Sequence, residues 1–482
     1  MTASVIGTPD GVDETATHFA DEWDLDLVST DPLGFAGYTP PAIESVRSGT
    51  VRAPDGTGEH VFIDCDFARH GGTMGAVAGE RIVRAVRRAT DRALPVAFRV
   101  SSGGARLQEG MFALVQMARV TSALVEHRRA GLMTAAALRH PTTGGVYASW
   151  ASGADVRIAA PGAVIGFGGP RVVEQVTGVR PPASSHTAES AYANGLLDAL
   201  VPEPEQPARL RAVLGLAAAD PLTLPAGRGG PRTAAASPVS SDAWDVAGFA
   251  RSPRRASGLE WAAWLTDSWI ELHGTDPAIR AGIATVDGVR VVLIAMDRVP
   301  GAGLGLPGPA AFRLAQRAIS LADRLHLPVV TLVDTPGADP SPDAEADGIA
   351  HEISATMAAM AALSSVSVSI VVGEGGSGGA MALAHADHVA MLRHSVFWVI
   401  GPEAGSAVLY RDPSRAAGLA RAFAPTAAEL VGSGFAERAL PESITGVRRY
   451  ILDSIARNDA GHRTSRWNAM TERAYRGAGP NS

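Results

Sequence analysis

The chain of 482 residues contains no lysine, and all 42 of its basic residues are arginine. That absence excludes a Walker A lysine, a Schiff-base lysine, and a biotinylated or lipoylated lysine, so any swinging carrier must be another molecule. A single cysteine, Cys65, excludes an internal disulfide and a cysteine-rich zinc ribbon, and it fits a reducing compartment. The first 46 residues hold nine acidic side chains and no arginine, the reverse of a signal or transit peptide. No apolar run reaches the roughly 20 residues that a spanning helix needs. A cytoplasmic protein is the expectation, with no membrane partner. The formal charge of -7 and pI near 6.0 give no electrostatic reason to expect nucleic acid. Apolar residues are plentiful, at 46% of the chain, and allow a large core divided over two or more domains.

A long internal repeat organises that core. The segments "LPVAFRVSSGGA" (94–105) and "LPVVTLVDTPGA" (327–338) share their Leu-Pro-Val start and Gly-Ala end at an offset of 233. Gly144 and Gly145 in "PTTGGVYAS" recur as Gly378 and Gly379 in "EGGSGGAMA" at an offset of 234. "IGFGGP" (165–170) then matches "VIGPEA" (399–404), and "NGLLDALVPE" (194–203) matches "SGFAERALPE" (433–442). Four landmarks in one order indicate a duplicated domain. Between the copies, 221–241 has neither helical nor strand period and is rich in Pro, Gly and Ser, as a linker is.

Both copies follow one pattern. An early hairpin is expected at "PDGTGEHVFIDC" and at "VDGVRVVLIAM", the latter turning at Asp287-Gly288. Helices are expected near 80–92 and 310–324, ahead of the Leu-Pro-Val strands. Further helices follow at 111–127 and 348–362, then strands at 132–138 and 366–372 that run into the second glycine pairs. Strand, glycine turn and helix in alternation predict crossover units and mainly parallel strands, an α/β fold.

Paired glycines at a strand end permit positive φ and close approach of main chains, and a helix opening there leaves unpaired N–H groups. Two such turns from neighbouring strands form an oxyanion hole, whose donors contribute about 3 to 4 kcal/mol each to a transition state. Gly103 and Gly104 would face Gly144 and Gly145 in the first copy. Gly337 and Ala338 would face Gly378 and Gly379 in the second. Gly373, Gly375 and Gly378 also fit G-x-G-x-x-G, but no carboxylate lies in 390–400 to hold a ribose, and "PTTGGV" lacks the fingerprint. His385, His388 and His394 invite a metal reading that no carboxylate-rich pattern completes, so no metal is expected. Ser149 and Ser377 sit beside glycine pairs as a nucleophile would, although small residues also suit tight packing there. Beside the first hole, Arg106 offers a phosphate contact and Glu109 a base, against the simpler reading of a mutual ion pair. With no acid–base dyad evident, the proton traffic falls to a substrate or cofactor.

The first copy, from about 62 to 204, resembles the beta-type subunit of bacterial acetyl-CoA carboxylase carboxyltransferase in "DFARHGGTMGAVAGERIVRAV", "SSGGARLQEG", "PTTGGVYASW" and "IGFGGPRVVEQ". The second, from about 307 to 441, resembles the alpha-type subunit in "LVDTPGADP", "VGEGGSGGAMAL" and "VIGPEAGSAVLYRD". The resemblance implies a fused acyl-CoA carboxyltransferase with two tandem crotonase-like (ββα superhelix) domains related by internal duplication. It divides the chain into an acidic N-terminal arm (1–46), an acyl-CoA domain (47–218), a linker (219–250) and a biotin domain (251–482).

In that family one half holds a thioester enolate and the other polarises the ureido carbonyl of carboxybiotin. The biotin nitrogen takes the α-proton, and the enolate attacks the released CO2. Gly103, Gly104, Gly144 and Gly145 would then serve the thioester, with Ala105, Arg106, Gly168 and Gly169 binding the substrate. Gly337, Ala338, Gly378 and Gly379 would serve biotin, carried on a separate protein. A biotin carboxylase, a biotin carrier protein and a homo-oligomer are the implied partners. The chain departs from the family in lacking the beta-type zinc ribbon, in the weakly basic entry "MDRVPGAGLGLPGPAAF", and in placing Asp339, Asp343 and Asp347 after the second copy's turn. Two rival functions follow from these departures. One is a biotin-independent decarboxylase of malonyl-type thioesters, and the other an inactive binding or scaffolding homologue.

Overall fold

The structure is a computed structural model that describes residues 19–472 apart from 54, 55, 57, 225–240, 253, 254 and 299–304. The described residues divide into two compact units. The first lies within Met1–Ala154, Ile158–Thr187 and Val201–Leu216, and the second within Asp155–Arg157, Ala188–Leu200 and Ala217–Ser482.

The strands form two eight-stranded sheets, the first largely within the first unit and the second within the second. The first runs β1 (Asp21–Glu22), β2 (Val46–Arg52), β3 (Glu59–Cys65), β4 (Val96–Ser102), β5 (Thr134–Thr143), β6 (Val156–Ala159), with β7 (Ile165–Gly166) paired to β5 and β8 (Ala199–Leu200) at the edge beside β6. The second comprises β9 (Ser268–Leu272), β10 (Ile279–Val286), β11 (Val289–Met296), β12 (Val329–Thr335), β13 (Ser367–Gly376), β14 (His388–Leu392), with β15 (Val396–Trp398) on β13 and β16 (Arg438–Leu440) beside β14. The two orders are the same. In each, the first three strands are antiparallel, and parallel pairing begins at β3 with β4 and at β11 with β12.

The core strands read as they do because both faces are covered: all seven residues of β12 and all ten of β13 are buried. Proline and glycine mark the helix that feeds β12, with Gly308 at its N-cap and Pro309 at its first position. That helix, Pro309–Arg324, buries Phe312, Leu314, Ile319 and Leu321 on one side. Its counterpart Ala76–Asp91 buries Ile82, Val83 and Val86. Met111–Arg129 and Ile349–Ala362 follow the first glycine turn of each copy. Asp287 (φ 46°) and Gly288 (φ 78°) make the tight two-residue turn from β10 to β11.

The arm and the end of the linker both carry structure. As far as it is described, the acidic arm is packed: Asp21–Glu22 pairs with β2, and Trp23 and Glu44 are buried. The end of the expected linker is helical, Ala243–Ala250, capped by Asp242, whose carboxylate accepts from the Trp244 and Asp245 amides. Composition alone could not reveal either, because each depends on a surface supplied from elsewhere in the unit. Among the described residues no helix is long and apolar enough to cross a membrane.

Candidate active site

In each unit the strand that leads to the second glycine pair, β5 or β13, bulges where it passes the first glycine turn. The parallel register shifts between Val100 and Ser102 in β4, and between Val333 and Thr335 in β12. The same local device then holds the turn: the Gly104 amide donates to Ser102 Oγ at 3.0 Å, and the Gly337 amide to Thr335 Oγ1 at 3.2 Å. The neighbouring strand ends in the second glycine pair, which opens a helix at Gly144–Val146 or Ser377–Ala384.

The paired turns meet backbone to backbone. A Cβ placed on Gly104 (φ 110°) would lie 3.0 Å from Gly144 Cα and 3.2 Å from the Gly145 nitrogen. A Cβ on Gly379 would lie 2.8 Å from the Ala338 nitrogen, and one on Gly376 would lie within 1.9 Å of Pro336 O. The structure therefore brings Gly104, Gly144 and Gly145 together in the first unit, and Gly337, Ala338 and Gly379 in the second.

Not all of these amides remain to serve a ligand. Gly103 donates to Gly71 O at 2.8 Å and Gly144 to Phe167 O at 2.9 Å, while Gly104 and Gly337 are held as above. As N–H donors, Gly103, Gly104, Gly144 and Gly337 are thus corrected: they shape the turns. The Ala105 and Ala338 amides have no acceptor among the described residues, and Gly145 and Gly379 stand in the first turn of a helix, where N–H groups lack an intrahelical partner. Ala105 was expected only as a substrate contact. Its equivalence to Ala338 at the offset of 233 was the signal that marks it as a donor.

Arg106 requires a second correction. It is 1% exposed, and all five of its N–H donors are taken: Nε by Thr73 Oγ1, NH1 by Glu44 and Glu109, NH2 by Glu44 and Thr73 O, at 2.7 to 3.2 Å. Glu109 also accepts from the Ala76 amide at 2.6 Å and from Tyr38 at 3.0 Å, which leaves neither residue for phosphate binding or base catalysis. Burial pushes the Glu44 carboxyl up, but Arg106, Ser29 and the Ser45 amide hold it below its usual value. Glu44 lies in the arm, so the sequence offered no sign of this partner. Gly168 and Gly169 are half-buried beside the second turn, next to Phe167, whose carbonyl holds Gly144. Gly169 caps the helix Pro170–Thr177.

The second turn borders a cavity of about 430 Å³, lined by Ser377, Gly378, Met381, Phe397, Trp398 and Phe423 among others. Ser377 is exposed at φ 55°, a left-handed conformation costly for serine. With Gly375 and Gly379 it completes G-x-S-x-G, so the expectation that neither Ser149 nor Ser377 fits that spacing is corrected for Ser377. The three histidines have separate partners: His385 with Trp467, His388 with Glu437 and Asp459, His394 with Glu442. Asp339 turns back on Ser341, and Asp347 pairs with Arg313, so these two of the three aspartates are engaged locally.

A doubled α/β unit with two strand-end glycine turns in each copy defines a two-domain crotonase-like protein. The structure of 12S transcarboxylase, described with methylmalonyl-CoA and methylmalonic acid bound, has this fold (TM-score 0.74, 21% identity, covering 91% of this chain and 86% of that one). Residues 48–212 match the carboxyl transferase domain, and 238–461 match the acetyl co-enzyme A carboxylase carboxyltransferase-like family. The chain is 39% identical over 442 residues to the acetyl-coenzyme A carboxylase carboxyl transferase subunits beta/alpha of Salinispora arenicola, covering 86% of this chain and 78% of that protein. It is 37% identical over 406 residues to a probable biotin-dependent acyl-coenzyme A carboxylase beta3 subunit of Mycobacterium tuberculosis, covering 83% and 80%. The chain belongs to the acyl-CoA carboxylase carboxyltransferase family.

Proposed function

We propose that this chain is the carboxyltransferase component of a biotin-dependent acyl-CoA carboxylase, with the thioester served by the first unit and biotin by the second. The observation that carries the reading is the duplicated pair of available amides, Ala105 with Gly145 and Ala338 with Gly379. In the first unit these donors would hold the thioester oxygen as charge gathers on it, at about 3 to 4 kcal/mol per donor. In the second, Ala338 and Gly379 would hold the ureido oxygen of biotin. The cavity suits that ring system, since it presents apolar and aromatic walls around a backbone turn. Biotin, when bound, supplies the carried CO2. A biotin carboxylase and a separate carrier protein complete the system, because the chain has no lysine to carry biotin itself.

Assembly is supported by an uncovered apolar helix face. Met111, Phe112, Leu114 and Val115 on Met111–Arg129 are 42 to 64% exposed, beside Leu107 at 82%. We infer a homo-oligomer that covers it. Met111→Glu is expected to shift the protein to a smaller species in size-exclusion chromatography with light scattering, and an unchanged mass would remove this face from the interface.

A malonyl-thioester decarboxylase would need the first pair of amides alone, so the cavity in the second unit favours the two-site reading. Purified protein given malonyl-CoA is expected to release CO2 with free biotin and not without it. Release without biotin would move the assignment to the decarboxylase, and CoA binding with no release under either condition would move it to a binding homologue.

A further inference from the structure

Glu374, the acid within "GEGGSGG", is 1% exposed and sits on β13 directly before the glycines of the second turn. Its carboxylate accepts Arg251 Nε at 3.1 Å and Arg251 NH2 at 2.9 Å, and it accepts the indole N–H of Trp398 at 3.2 Å. Arg251 reaches on to Glu403, at 2.6 Å, at the start of the helix Pro402–Tyr410, and its guanidinium carbon lies 5.0 Å from the centre of the Trp398 ring. The Glu374 amide donates to Asp334 on β12, which Arg255 pairs at 2.5 Å. One buried carboxylate thereby joins the strand that ends in the glycine turn to the aromatic side chain that walls the cavity.

Glu374 is buried while Arg251 reaches the surface, and an ion pair of this kind adds little net stability over apolar packing. The first unit makes the contrast. At the offset of 234, Glu374 corresponds to His140, which is exposed, and by sheet register Trp398 corresponds to Ile165. The charged clamp belongs to the unit with the aromatic wall.

We propose that Glu374 is a positioning residue of the cavity in the second unit. With Arg251 it fixes the indole of Trp398 in the cavity wall that Ser377 and Gly378 also line, so that a ring-shaped ligand whose carbonyl reaches the Ala338 and Gly379 amides would find a preset wall. This rests on assigning biotin to the second unit. Glu374→Ala is expected to raise KM for free biotin about tenfold or more in malonyl-CoA decarboxylation while leaving KM for malonyl-CoA unchanged, with Glu374→Gln, which keeps an acceptor for the indole, within about threefold of the parent. Because Glu374 acts through Trp398, Glu374→Ala should add nothing in a Trp398→Ala background. A biotin KM within about twofold of the parent, or a full further rise in the Trp398→Ala background, overturns the proposal.

If the parent enzyme shows no response to biotin, the assignment of the cavity falls, and acrylamide quenching of Trp398, read by subtraction of Trp398→Phe proteins, still decides the clamp. Quenching should increase in Glu374→Ala, and an unchanged value overturns it. Where Glu374→Ala does not fold, Trp398→Phe carries the test. It keeps the ring but lacks the N–H, and its biotin KM should rise about threefold or more, with no rise counting against the clamp.

Discussion

The two glycine turns use the same backbone and different supports. Both lie beside a bulge in the neighbouring strand, both tie the turn glycine to a hydroxyl two residues earlier, and both retain one turn amide beside one helix-start amide. Behind the first turn stands Arg106 between Glu44 and Glu109, fastening the arm and the start of the helix Ala76–Asp91. Behind the second stand Glu374 and Arg251, fastening an aromatic wall. The comparison teaches that the backbone of the glycine turn is the shared part of the duplication, and that the side chains behind it are where the copies differ.

The largest expected effect breaks the first support. Arg106→Leu leaves Glu44 and Glu109 buried without a countercharge, and about 3 to 5 kcal/mol of stability should be lost from the first unit. Urea denaturation followed by a probe in each unit should show the loss there and not in the second. Next come the turns themselves. Gly379→Val drives a side chain against the Ala338 backbone and should lower the biotin-dependent rate about 100- to 1000-fold while sparing acyl-CoA binding by calorimetry. Gly144→Val, at φ 65° and against Gly104 Cα, should do the converse. Gly145→Val should be milder, since it meets the flexible Met117 side chain. Equal loss of both functions in each variant would reverse or dissolve the assignment of the units.

The two units also differ in acid and alkali. The Glu44 carboxyl is held below its ordinary 4.5, so its contribution is present above that value and is lost as pH falls through the lower folded value. In the second unit, burial opposes protonation of His388, but Glu437 and Asp459 raise it above its ordinary 6.5, and Glu437 is pulled down to about 2. The His388 contribution is therefore present below 6.5 and is lost as pH rises through the raised value. Thermal melts from pH 3 to 9 should show acid sensitivity that Glu44→Gln removes and alkaline sensitivity that His388→Asn removes. The smallest effect is at the hairpin: Gly288→Ala forces φ 78° on a residue with a Cβ and should cost about 1 kcal/mol in chemical denaturation, with activity retained.

Much of this was legible in the chain. The helices expected near 80–92 and 310–324 are Ala76–Asp91 and Pro309–Arg324, and the Asp287-Gly288 turn lies where a two-residue hairpin needs positive φ. Local chemistry sufficed there, because caps, periodicity and turn residues act over a few positions. The Arg106 network was not legible, since Glu44 lies 62 residues away in a stretch with no periodicity to place it. Nor was the Trp398 clamp, which joins positions 251, 374 and 398.

The sequence by itself determined the duplication, the alternation of strand, glycine turn and helix, and the exclusion of a resident carrier lysine, since each is written in residue type and spacing. Which amides are free to meet an oxyanion was decided by tertiary structure alone. An N–H is spent or available according to the acceptor that another segment brings to it, as Gly71 does for Gly103 and Phe167 for Gly144, and spacing carries no record of that.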